Sequence, residues 1–192
     1  MDEKKDEKRE ERYADKVSEK LLKTRSIMIY GEIDQELAQR VSAQLLILQE
    51  MGDEPINVYI NSQGGHVESG DTIHDMLKFV KPEIKMIGTG WVASAGITIY
   101  LAAKKENRFS LPNTRYMIHQ PSGGTRGPAS DIKIDAEQIV KIRSRVNKLI
   151  SDATGQPLDK VEQDTQRNFW LDAEAAKEYG IVSKIITNNT EV

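Results

Sequence analysis

Ile84-Lys85-Met86-Ile87-Gly88-Thr89-Gly90-Trp91-Val92-Ala93-Ser94-Ala95-Gly96 is the stretch on which the fold is decided. Ile84 to Gly88 reads as a buried β-strand, started after Pro82 has broken the preceding helix. Small residues at Gly88-Thr89-Gly90 then turn the chain, and Ser94 opens a mostly apolar helix expected to reach Ala103. The same alternation recurs upstream. A strand over Ser26 to Tyr30 ends at Gly31, and Asp34 caps a helix running to about Met51, with Leu37, Val41, Leu45 and Leu48 on one face. A second strand covers Ile56 to Asn61, and a helix covers about Val67 to Val80. Strands alternating with helices at short spacing predict a parallel sheet with crossover helices, hence an α/β fold.

Downstream, short strands are expected at Asn107 to Ser110 and Tyr116 to His119, then a turn-rich segment from Gly123-Gly124 to Pro128. A long helix follows over Ala129 to Ala153, with Ile132, Ile139, Ile142, Val146 and Ile150 as an apolar stripe and a Gly155, Pro157 stop. At 1.5 Å per residue it spans roughly 37 Å, so it either crosses the core or projects toward another subunit. The tail holds a short helix, a helix headed by Asp172 and a last strand over Ile181 to Ile186. Residues 1–16 are nearly all charged and read as a flexible arm, leaving 17–192 as one domain.

Composition narrows the function. Twenty-seven basic against 30 acidic residues leave a net charge of −3, which does not suggest a nucleic-acid-binding face. No apolar run is long enough for a membrane span, and the charged N-terminus has no signal-peptide core, so a cytoplasmic location is expected. The absence of cysteine excludes disulfides, thiolate zinc sites and cysteine nucleophiles. No metal or cofactor is expected.

Three short segments hold candidate chemistry. Ser94 at the start of a helix has free backbone N–H groups beside it, which favour a developing negative charge, as acyl transfer requires. A plain N-capping serine is the alternative. Asn61-Ser62-Gln63-Gly64-Gly65-His66 follows a strand, and its two glycines could present bare N–H groups to an oxyanion, or form an ordinary turn. His119 ends an apolar strand ahead of Gln120-Pro121, one of only three histidines; taken alone, a histidine in this setting is more often structural.

Together these blocks closely resemble the proteolytic subunit of the Clp protease family, over about Leu21 to Ile186. The resemblance rests on Ser62-Gln63-Gly64-Gly65, on Ala93-Ser94-Ala95-Gly96 and on Met117-Ile118-His119-Gln120-Pro121 followed by Ser122-Gly123-Gly124. It rests further on Leu149 to Pro157, Asp164-Thr165 and Ala173 to Gly180. It implies a crotonase-like ββα spiral with a projecting handle helix. It also implies a serine endopeptidase acting on unfolded polypeptides, in heptameric rings stacked as a tetradecamer and fed by a hexameric Clp AAA+ ATPase. Carried over, Ser94 is the nucleophile and His119 its general base. The N–H groups of Gly65 and Ala95 form the oxyanion hole, and Gly123, Gly124 and Thr125 line an extended substrate.

The chain departs from the family at several positions. By register Asn168 replaces the triad Asp, which implies weak activity alone, or a chiefly structural role in a mixed complex with an Asp-bearing paralogue. Gln63 stands for the usual proline and loosens φ before Gly64, and Ala95 stands for a larger Met, leaving a roomier pocket beside the nucleophile. Gln166 replaces an acid that pairs with an Arg between rings. The charged arm lacks the family's apolar pore-loop segment. A reading from another class is an acyl-CoA hydratase or isomerase on the same spiral, which would have no use for a Ser–His pair.

Overall fold

The structure is a computed structural model describing residues 16–192. The flexible-arm reading of residues 1–16 therefore lies almost wholly outside the described residues, and Lys16 already belongs to a helix, α1 (16–23). Strand β1 (Ser26–Ile33) leads to α2 (Gln35–Met51), whose first turn is closed by Asp34 Oδ1 accepting from Leu37 N–H at 2.8 Å. That cap is the one expected, because an Asp just before an apolar-periodic run satisfies an orphan N–H. Strand β2 (Ile56–Gly65), α3 (Val67–Phe79), β3 (Ile84–Ala93) and the six-residue α4 (Ala95–Tyr100) follow. The chain continues through β4 (Arg108–Ser110), β5 (Arg115–Ile118), the long α5 (Ala129–Thr154), α6 (Leu158–Asp164), β6 (Phe169–Leu171), α7 (Ala173–Tyr179) and β7 (Lys184–Ile185).

The sheet runs β1-β2-β3-β4-β7, all parallel, as alternation predicted. β5 adds parallel to the far end of β3, and the three-residue β6 pairs antiparallel with β5. β3 thus forks the sheet: Met86 to Gly88 pair with β4, while Trp91 to Ala93 pair with β5. β6 was not foreseen. Three residues carry too little alternation to be read as a strand, and only the pairing with β5 reveals it.

Three expected strand ends or turns prove to lie within strands. Gly31 does not end β1, and neither Ser62–Gly65 nor Gly88–Gly90 leaves its strand. The register slips instead between Tyr30 and Glu32 and between Ile60 and Ser62. Bulges bend a strand without ending it, so three neighbouring strands bend at one level and carry the site beyond the bend. Gly88 sits at the fork because a Cβ there would run into the ring of Tyr116. α4 is also shorter than expected. Its end tightens, with Ala102 N–H bonding back to Ile99 O at 3.0 Å, and regular helix stops at Tyr100.

The sheet and α2–α4 enclose one apolar core, including Ile29, Val41, Leu45, Ile60, Met86 and Tyr100. α5 reaches that core only through its C-terminal half, where Val146, Asn147, Ile150 and Thr154 are buried. Residues 129–138 are exposed on every side. The long helix therefore projects.

Gly88→Ala is expected to lower stability by about 1–3 kcal/mol through overpacking against Tyr116, seen as a reduced urea midpoint with an unchanged slope.

Candidate active site

Three strand ends converge. β3 delivers Ser94, β5 delivers His119 and the α6–β6 connection delivers Asn168. Ser94 Oγ lies 2.8 Å from His119 Nε2, and His119 Nδ1 lies 2.9 Å from Asn168 Oδ1. Ser94 and His119 are half-buried, whereas Asn168 is exposed. The structure thus brings together all three residues that the sequence suggested for a nucleophile, a base and an orienting group.

The N-cap alternative for Ser94 fails on geometry. Its side chain makes no capping hydrogen bond. Its backbone stands at φ 56°, ψ −124°, and among the described residues only Arg25 shares a positive φ without being glycine. Such a conformation costs on the order of 1–3 kcal/mol and survives only where neighbours hold it. Here Ser94 N–H donates to Met117 O at 3.0 Å, tying the turn to the strand that carries His119.

Gly64 closes the other side. A Cβ on it would come within 2.6 Å of Ser94 Cβ and 2.9 Å of Ala93 O, so the bare backbone is what lets β2 approach the serine. Ser62, fully buried, holds this segment: its hydroxyl donates to Gly31 O at 2.6 Å and accepts from Gly64 N–H at 3.0 Å. Oriented to satisfy both neighbours, the Gln63 amide bridges Gly31 O and Glu32 N–H at 3.2 Å each. The tie to β1 offsets the loosening expected from the missing proline. Gly65 ends β2 exposed, while Ala95 opens α4, where N–H groups have no intrahelical partner.

Asn168 is held from upstream. Gln120 N–H donates to Thr165 O at 2.6 Å, and Gln120 Nε2 donates to Gln166 O at 2.9 Å. The fully buried Thr165 hydroxyl lies 3.0 Å from Oδ1 of buried Asn147 on α5 and 2.8 Å from Val161 O. Asp164 does not stand in for the missing carboxylate. Lys160 Nζ engages it at 2.6 Å and Tyr179 O–H at 2.8 Å. Gln166 lines a surface recess with Gln120, Arg143 and Arg167.

A mainly apolar pocket opens beside Ser94, lined by Val67, Ala95, Ile97, Pro121, Val146 and Ile150. Of these only Ala95 was tied to a pocket by the sequence. Val146 and Ile150 were legible merely as a helix stripe, and nothing in their spacing says that the stripe walls a pocket. Gly123, Gly124 and Thr125 do not form turns or a paired strand; the segment runs without regular hydrogen bonds, and Gly123 lies close to Ile139 of α5.

Behind α4, His74 Nδ1–H donates to Thr98 O at 2.7 Å. Burial pushes the His74 pKa below its ordinary value, against the raising effect of that bond.

Chemically, a histidine whose Nδ1–H donates to Asn168 Oδ1 leaves Nε2 bare to accept from the Ser94 hydroxyl. That is the tautomer of a general base. A parallel α/β sheet presenting a serine, a histidine and an orienting side chain at its strand ends, beside an apolar pocket, defines a serine hydrolase. A Clp protease family profile matches residues 8–189. The "ATP-dependent Clp protease proteolytic subunit 3" of Rhizobium etli is 58% identical over 192 residues, covering 100% of this chain and 99% of the relative. The corresponding subunit 2 of Pseudomonas aeruginosa is 50% identical over 177 residues, covering 92% and 88%. Among solved structures, ClpP1 from Listeria monocytogenes superposes with a TM-score of 0.83 at 59% identity, over 91% of this chain and 98% of that one. An Asn-to-Asp variant of the same protein gives 0.85 at 60% identity over the same shares. The chain belongs to the Clp protease family, and its fold is that family's.

Gly64→Ala is expected to displace Ser94 and abolish its labelling by a fluorophosphonate, with the melting temperature lowered by only a few degrees. The His74 shift has a definite sign. Its folded pKa lies below the unfolded value of about 6.5, so the unfolded chain gains its proton first and folding loses stability as pH falls through that value. Urea unfolding at about pH 7.5 and about pH 5.5 should show a larger loss for wild type than for His74→Gln.

Proposed function

We propose that this chain is the proteolytic subunit of an ATP-dependent Clp protease, hydrolysing peptide bonds of unfolded polypeptides, with low activity on its own. The observation that carries the reading is the unbroken contact from Ser94 Oγ through His119 to Asn168, at 2.8 and 2.9 Å. Ser94 attacks the scissile carbonyl as His119 Nε2 takes its proton, and the imidazolium then returns that proton to the leaving amine. The N–H groups of Gly65 and Ala95 receive the oxyanion, and Gly123 to Thr125 lie along the extended peptide.

Asn168 explains the low activity. An amide orients the imidazole but carries no charge to stabilise the imidazolium. Turned by half a rotation it presents N–H₂ and selects the opposite tautomer; a carboxylate has no such second state. In the trypsin-type triad the same Asp-to-Asn change costs about 10⁴-fold in turnover.

The projecting half of α5 supports assembly. Ile134 and Val140 stand 56% and 62% exposed on it, far from the core they would otherwise join. We read this helix as the handle between two stacked heptameric rings in the cytoplasm, served by a hexameric Clp ATPase. The same exposed helix, together with Asn168, favours a second reading: a chiefly structural subunit sharing rings with an Asp-bearing paralogue.

Hydrolysis of a fluorogenic peptide by wild type should lie close to the Ser94→Ala blank and rise by up to about 10⁴-fold in Asn168→Asp. Fast wild-type turnover, unchanged in Asn168→Asp, would overturn this account. Ile134→Glu with Val140→Glu is expected to halve the sedimenting mass of the assembly while leaving the circular dichroism of the fold unchanged.

A further inference from the structure

Each of the three strands that end at the site carries one member of an exposed side-chain stack. Trp91 on β3 lies three residues before Ser94, Arg115 on β5 four before His119, and Trp170 on β6 two after Asn168. The rings of Trp91 and Trp170 are stacked, with centroids 6.2 Å apart and planes 5° from parallel. The Arg115 guanidinium sits 4.2 Å from the centroid of the Trp170 ring. These are the chain's two tryptophans.

The register explains how the stack forms. Trp91 is opposite Arg115, and Trp170 is opposite Met117. Arg115 and Trp170 are therefore diagonal neighbours, within reach of long side chains, and the two indoles meet across the intervening strand β5. The stack lies largely outside the core, since Trp91 is 41% and Trp170 37% exposed. Core packing therefore does not account for it.

β6 has reason to need such a restraint. It is three residues long and pairs with β5 alone, so its ladder supplies few hydrogen bonds, and short edge segments open easily. Upstream of Asn168 the chain is tied down by Gln120 at Thr165 and Gln166. Downstream, Trp170 is where side chains from β5 and, beyond it, β3 take hold. We propose that Trp91, Arg115 and Trp170 form a clasp that positions Asn168 against His119 by fixing the edge strand that follows it. The clasp rests on the serine-peptidase reading given above. Its members are positioning residues, none of them a hydrogen-bond partner of Ser94, His119 or Asn168.

The test is made in the full chain with Asn168→Asp as parent, following acylation of Ser94 by a fluorophosphonate across pH. Trp170→Leu should slow acylation by about 10- to 100-fold, the penalty of a small misplacement, whereas Trp170→Phe keeps an aromatic face and should stay within about twofold. Tryptophan emission from the Trp170 variants, with Trp91 then the sole emitter, should shift relative to the parent by more than the loss of one fluorophore. Leu and Phe variants acylating equally fast as the parent would overturn the clasp. If the parent itself labels no faster than Ser94→Ala, the peptidase reading fails, and crystal structures of wild type, Trp170→Leu and Trp170→Phe decide the clasp. The 2.9 Å contact between His119 and Asn168 lost in the Leu variant and kept in the other two supports it; the contact kept in all three overturns it.

Discussion

The conformation of a single residue, Ser94, carries the greatest weight in this molecule. At φ 56°, ψ −124° it turns β3 directly into α4 and throws its hydroxyl away from the helix it begins, toward His119. An L-residue does not hold such a conformation unaided. Three other elements hold it: Met117 O of β5 takes its N–H, the bare backbone of Gly64 in β2 lies against its Cβ, and His74 of α3 supports α4 from behind. The register slips, which put extra residues into β2 against β1 and into β3 against β2, lie just ahead of Gly64 and Ser94.

The histidine is oriented by a weaker device. Asn168 reaches it from an exposed position between α6 and a three-residue edge strand. Its upstream anchor leads inward, through Thr165, to Asn147 on the buried half of α5. A projecting helix and the third site residue are therefore joined through one buried polar contact. In a low-dielectric interior such a contact is costly to break and directional when made. The same helix also walls the apolar pocket with Val146 and Ile150.

Much of this was legible in the residues. Alternating apolar strands and amphipathic helices specify a parallel α/β sheet, Asp34 and Asp172 mark helix starts where the structure has them, and Gly155 marks the stop of α5. These signals are local, so they survive without knowledge of the fold. Glycines misled in a consistent way. Gly31, Gly64-Gly65 and Gly88-Thr89-Gly90 read as strand ends but are bulged or closely approached positions within strands. A glycine permits a turn and permits a close contact equally, and only the neighbouring chain distinguishes the two. β6 was missed because its identity lies in its partner.

The candidate site divides along the same line. By itself the sequence supplied the blocks around Ser94 and His119, in an order and spacing similar to those of one family, and placed an amide where that family has an acid. Those are properties of residue type and register. What the tertiary structure alone decided is that Ser94 does not cap its helix, that Asn168 faces His119 while Asp164 is held by Lys160 and Tyr179, and that α5 projects rather than crosses the core. Each of these depends on distances between segments remote in the chain. Such distances are set by the packing of the sheet against its helices, and no local pattern of residues encodes them.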